Sequence, residues 1–222
     1  MGGCGFKRML QVWVMFLVQI CLMGRASDVT IDFCPLLEDT QLPADHLWDL
    51  DGLPKWIELG MRDWKWRSAA NKGKRYGIKI HRNYLDARFC PVTWLMLYLK
   101  IFAIEKGPIF QDKDGVGIKE PSWLDSTDRL FKAAGLYIPG QGGCTNHSIR
   151  KAACQWAGRC LANPLDVKNC GRWQSYDEMA DYYAQGQARR ARLTEGNGVD
   201  PIWRMWVWKP CCAPNADGRS QL

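Results

Sequence analysis

Three short stretches of this 222-residue chain carry side chains that could act together: His147-Ser148-Ile149-Arg150, Gly171-Arg172-Trp173 and the Tyr182-Tyr183 pair. His147 and Arg150 stand three apart, which puts them on one face of a helix. Trp173 follows His147 by 26 positions and Tyr182 follows Trp173 by 9. A phenol can attack phosphorus, but its ordinary pKa of about 10 means that it needs a base or a positive field beside it. A phosphoryl group in transfer spreads negative charge over its oxygens, which planar guanidinium forks match with two hydrogen bonds each. The departing hydroxyl needs a proton donor, and a mobile Lys or a His serves. Two arginines, one or two His or Trp donors, a lysine and a tyrosine are therefore enough to cut a phosphodiester without a metal.

Such a set needs elements to hold it. From Met9 to Met23 the apolar residues Leu10, Val12, Trp13, Phe16, Leu17, Ile20 and Cys21 predict a buried helix. Lys7 and Arg8 before this run give it the outline of a signal peptide, the mark of a secreted, Cys-rich protein. Against that, Arg25 stands where cleavage wants a small residue, and Gln11 and Gln19 interrupt a run already short for a membrane span. The buried helix is the reading taken, with no membrane partner. Residues Thr30 to Pro54 read as loop and turns. Trp56 to Arg67 and Tyr76 to Ile80 alternate on either side of the polar turn Ser68 to Lys74, the pattern of a β-hairpin with a basic tip.

Pro91 to Phe102 predicts a helix opened by its proline, Gly107 to Pro121 a loop, and Ser126 onward a helix closing at Gly135. Gly140-Gln141-Gly142-Gly143 reads as flexible, with Thr145 or Asn146 as N-cap of the next helix. That helix places Ile149, Ala152, Ala153, Trp156 and Cys160 on one stripe, with His147, Arg150 and Cys154 beside it. A short helix near Leu165 to Cys170 runs into Gly171, and Asp177 to Tyr183 starts another that continues through Arg192. From Thr194 the tail is broken by Gly and Pro, apart from Ile202 to Trp208.

A net charge of +7 favours a polyanionic partner, nucleic acid or an acidic membrane surface. Ten cysteines would suggest disulfides in a secreted protein. Here they are scattered without a CxxC pair, and only three histidines accompany them, so no metal site is expected. Several lie in apolar runs, where free Cys acts as a small hydrophobe. Reduced cysteines and an intracellular protein are the expectation.

The order and spacing of these motifs resemble the catalytic domain of tyrosine recombinases of the phage-integrase type. The residues that carry the likeness are Gly24 to Val29 (GRASDV), the basic hairpin, His147-x-x-Arg150, Gly171-Arg172-Trp173 and Tyr182. The look is nearest to crypton-like members, in which Trp commonly replaces the histidine of the third box. The resemblance spans about Met9 to Gln187. It implies an α+β fold, mostly α-helical with a small antiparallel β-hairpin, in a catalytic domain over 1–193 followed by a tail over 194–222.

The resemblance also assigns roles. Arg25 and Arg150 would clamp the scissile phosphate. His147 would accept the phenolic proton or hydrogen-bond the phosphate, and Trp173 would offer its indole N–H to a phosphate oxygen. Tyr182 would attack, leaving a 3′-phosphotyrosyl link and a free 5′-hydroxyl, with Tyr183 as the alternative nucleophile. A hairpin lysine would protonate the leaving oxygen, Lys72 first, Lys74 and Lys65 behind it. Double-stranded DNA is the implied partner, with oligomers on DNA, no cofactor, and a nuclear location for such a mobile-element recombinase. The sequence as given opens at the helix before Arg25, so the N-terminal DNA-clamp domain of the family is expected to be missing. A DNA-binding remnant without turnover is the alternative function.

Overall fold

A computed structural model describes residues 3–63, 69, 73–138 and 142–195. Six α-helices and two small antiparallel sheets make up the described residues, as the α+β reading expects: α1 (Gly3–Cys21), β1 (Trp56–Met61), β2 (Tyr76–His81), α2 (Pro91–Phe102), α3 (Glu120–Ala133), β3 (Tyr137–Ile138), β4 (Gly142–Gly143), α4 (Asn146–Arg159), α5 (Pro164–Gly171) and α6 (Asp177–Glu195).

Helix α1 is the axis of the core. Val14, Leu17, Val18 and Leu22 are 0–1% exposed, while Phe6 and Met9 at its start face outward. It packs on α2, α3 and α4, so the first apolar run of the chain organises the rest. No helix among the described residues is long and apolar enough to cross a membrane. Strands β1 and β2 pair in the register Ile57 with Ile80 and Leu59 with Ile78, all four buried against the core. Their alternation is why the hairpin was readable: one face is apolar, the other carries Glu58 and Lys79. Between Pro35 and Pro54 the chain runs through short 3-10 turns and single bridges, one of them joining Gln41 to Glu58 of β1.

Three local expectations are corrected. Helix α3 starts at Glu120, six residues before Ser126, because Pro121 sits in its first turn, where its missing N–H costs nothing. Gly142 and Gly143, read as a flexible tract, form β4 against Tyr137 and Ile138. In α4 the buried face is Ile149, Arg150, Ala153, Cys154 and Ala157, and Ala152 is exposed. The helix is turned so that Arg150 and Cys154 point inward, against α1 and α6. Gly186 of α6 makes this possible, since a Cβ there would strike the backbone carbonyl of Gln155 in α4. The two helices thus cross at close range, and Tyr182, one turn before Gly186, is brought beside α4.

The seven cysteines whose side chains are described form no disulfide, and most are buried. Burial pushes the thiols of Cys34 and Cys154 up to about 12, which keeps them protonated and unreactive.

Candidate active site

Helix α1 ends at Cys21, and Met23 takes a left-handed conformation (φ 45°) that turns the chain toward Arg25. A helix end leaves carbonyls without intrahelical partners. Here the backbone N–H groups of Leu22, Met23 and Gly24 take the carbonyls of Val18, Ile20 and Gln19, and side chains take the next carbonyls along: Arg172 Nη1 donates to Leu22 O at 3.4 Å, Arg150 Nη1 to Met23 O at 2.5 Å, and Gln19 Nε2 to Gly24 O at 3.1 Å. The Arg25 backbone N–H donates to Asp28 Oδ2 at 2.7 Å, and the same oxygen takes Arg172 Nη2 at 2.7 Å. The Asp28–Arg172 pair is almost wholly buried, at 2% and 3% side-chain exposure. Arg150 and Arg172 hold the turn that follows α1, and the Arg25 side chain lines the pocket beside it.

That pocket, of about 290 Å³, is lined by Arg25, His147, Arg150, Trp173, Glu178, Asp181 and Tyr182. Five of the six residues singled out in the sequence therefore share one cavity. The sixth, Lys72, lies outside the described residues, as does Lys65; Lys74 is described, is exposed on the hairpin, and does not line the cavity. The tail beyond residue 195 also lies outside the described residues.

Helix α4 presents His147 and Arg150 from its first turn, with Thr145 as its N-cap and Ser148 Oγ accepting the Thr145 N–H at 3.0 Å. Arg150 is 1% exposed, and its guanidinium carbon stands 3.8 Å from the centroid of a Trp173 ring. Its Nη2 meets no hydrogen-bond acceptor among the described residues. A buried cation without a partner is costly, so an unmatched guanidinium N–H calls for an anion. Burial first, then the charges of Arg25 and Arg172, push the Arg150 guanidinium down to about 9, which still leaves it cationic at neutral pH. Trp173 enters from the loop after α5. Gly171 lies under its ring, where any Cβ would collide with the indole. The Gly of Gly171-Arg172-Trp173 is thereby explained, and Arg172 itself closes α5 in a left-handed conformation (φ 55°).

Helix α6 supplies Tyr182, half-buried, with Lys151 Nζ 5.3 Å from its ring centroid. Tyr183 points the other way: it is 6% exposed and its hydroxyl donates to the carbonyl of Ala162. Glu178 and Asp181, which sequence reasoning missed, stand four and one residues before Tyr182 and line the cavity with it. Helical spacing back from Tyr182 was the signal that could have found Glu178. Asp28, Arg172 and Gln19 were missed as well. Among the described residues no group of three or more His, Cys, Asp or Glu gathers as a metal would require.

Burial, then the charges of Arg150, Arg25 and Lys151, lower the pKa of His147 below its usual 6.5, so its imidazole is neutral at pH 7 and able to accept a proton. The folded state thus holds this proton less tightly than the unfolded chain. The corresponding stability is full above about pH 6.5 and fades as pH falls through the depressed folded value. An NMR titration of the His147 ring is expected to give a midpoint below 6.5 in the free protein. Inorganic phosphate should raise that midpoint, because an anion between the guanidinium groups offsets their repulsion. An unmoved midpoint at saturating phosphate would place the anion elsewhere.

Solved structures resemble this chain. One is the XerH site-specific recombinase bound to palindromic difH substrate in a post-cleavage complex, with a TM-score of 0.57 and 12% identity over 87% of this chain and 46% of that one. Another is the XerH recombinase bound to difH substrate in a pre-cleavage complex, with a TM-score of 0.55 and 11% identity over 84% of this chain and 46% of that one. This chain therefore spans less than half the length of those proteins. At such identity the likeness is one of fold: the helices and the β1–β2 hairpin have the arrangement of a tyrosine recombinase catalytic domain. No family model matches the chain, and no curated protein matches it.

Proposed function

We propose that this chain is a tyrosine recombinase catalytic domain that cleaves and rejoins strands of duplex DNA through a 3′-phosphotyrosyl intermediate, the crypton type being favoured by Trp173 in the third-box position. The observation that carries this reading is the buried Arg150, one guanidinium nitrogen unmatched, in a cavity shared with Arg25, His147, Trp173 and Tyr182. The likeness in fold to recombinases solved on DNA supports it, as does the net charge of +7.

In the proposed reaction the scissile phosphate sits between Arg25 and Arg150, which stabilise the charge of the pentavalent transition state. Tyr182 Oη attacks phosphorus. His147 takes the phenolic proton and, once charged, hydrogen-bonds a phosphate oxygen, and Trp173 offers its indole N–H to another. The P–O5′ bond breaks as the P–Oη bond forms, and the leaving oxygen takes a proton from a hairpin lysine, Lys72 first and Lys74 or Lys65 after it. One phosphate ester replaces another, so the second strand's 5′-hydroxyl can reverse the step without ATP. Action on DNA as an oligomer and a nuclear location belong to the same reading.

A duplex with a nick beside the cleavage site tests it. The short cut fragment diffuses away and religation fails, so the protein should remain joined to the 3′ phosphate at one tyrosine per molecule. Salt-dependent DNA binding without any adduct would instead identify a binding remnant.

A further inference from the structure

Gln19 is one of two glutamines that interrupt the apolar run of α1, and no step of the proposed reaction uses it. Its side chain is fully buried, at 0% exposure. Its amide nitrogen donates to Gly24 O at 3.1 Å and to Asn146 Oδ1 at 2.7 Å. Its amide oxygen accepts the Trp123 indole N–H at 2.8 Å and lies 3.5 Å from Asn146 Nδ2, which also reaches Thr127 Oγ1 at 3.3 Å. Gly24 immediately precedes Arg25, and Asn146 immediately precedes His147. One planar amide therefore holds the two segments that present these cavity residues, and ties both to α3 through Trp123.

We infer that Gln19 is a positioning residue, which sets Arg25 against His147 and so fixes the shape of the anion site. A primary amide has two donors and an acceptor in one plane, and buried away from water each partner it loses stays unpaired. Small shifts in such a network are costly, so the two segments keep a fixed separation. The effect on cleavage rests on the function proposed above, whereas the effect on geometry does not.

Gln11 provides a matched control. Eight residues earlier on α1, it donates to Gln111 O at 2.8 Å and Tyr98 Oη at 3.2 Å, and none of these residues lines the cavity. Gln11→Met and Gln19→Met each remove a hydrogen-bonded amide from α1, the first partly buried and the second fully, and only the second is bonded to the segments that carry Arg25 and His147. The readout is the NMR titration of the His147 ring, which faces Arg25, Arg150, Lys151, Glu178, Asp181 and Tyr182. Gln19→Met should move its midpoint by about 0.5 pH unit or more, and Gln11→Met by about 0.1 or less. On nicked DNA at saturation, Gln19→Met should slow adduct formation about tenfold or more with DNA affinity within about threefold of wild type. Asn146→Ala, which cuts the link from Gln19 toward His147 together with the bond to Thr127, repeats the test should Gln19→Met not fold. If folded Gln19→Met or Asn146→Ala titrates and reacts like Gln11→Met, the inference is overturned. A shifted His147 in a protein whose wild type forms no adduct would uphold the inference and overturn the proposed reaction instead.

Discussion

Tyr182→Phe should abolish the covalent protein–DNA adduct, while Tyr183→Phe should leave it in place. Neighbours on a helix point about 100° apart, and α6 is set so that Tyr182, not Tyr183, faces the cavity. Tyr182 lines it, and Tyr183 is buried with its hydroxyl committed to Ala162. The two variants should therefore separate in opposite directions. Losing the Tyr182 hydroxyl removes the attacking atom at a half-buried site, so adduct falls to background with stability changed by less than about 0.5 kcal/mol. Losing the Tyr183 hydroxyl leaves the Ala162 carbonyl without its donor, costing about 1 kcal/mol of stability while adduct forms at a near-normal rate. Thermal melts beside adduct gels read both. Adduct surviving in Tyr182→Phe and vanishing in Tyr183→Phe would require α6 to rotate from its observed setting.

Arg150→Met should lower the rate of adduct formation by about a thousandfold or more, near 4 kcal/mol of transition-state stabilisation. Its effect on folding should be small, and of either sign. The wild-type guanidinium is desolvated, repelled by Arg25 and Arg172, and short of one acceptor. Against this stand the hydrogen bond to Met23 O and the stack on Trp173, which Met replaces only in volume. A site kept for function at a cost to stability behaves this way. Arg150→Lys should rescue little, because a single ammonium cannot hold Met23 O, lie flat on the indole and fork onto a phosphate at once. Single-turnover rates on nicked DNA, beside melting temperatures, check both variants. Loss of folding in step with loss of rate would make Arg150 a structural residue.

What the sequence made legible followed periodicity. His147 and Arg150 could be put on one helix face, and the β1–β2 hairpin could be seen in the alternation of Ile57, Leu59, Ile78 and Ile80. Nothing local told Tyr182 from Tyr183, since which of them lines the cavity is decided by the packing of α6 on α4. The α4 stripe was misjudged for a similar reason: a rule that sorts residues by polarity does not put an arginine on the buried face, and Arg150 is there because Met23 O and Trp173 receive it.

The residues that shape the site were the least visible. Asp28 and Arg172 meet across 144 positions and Gln19 and Asn146 across 127, so no window along the chain holds both partners. Gln19 was noticed only as an interruption of an apolar run. In the fold that interruption is the polar centre of the network behind Arg25 and His147.

A crystal structure of the protein with nicked duplex and orthovanadate, which takes the five-coordinate geometry of a phosphoryl group in transfer, probes the central claim most directly. The account predicts one vanadium in the cavity, bonded to Tyr182 Oη, with the guanidinium groups of Arg25 and Arg150 and the Trp173 indole N–H each about 3 Å from its oxygens. Vanadate bound away from Tyr182, or held by only one of the two arginines, would contradict it.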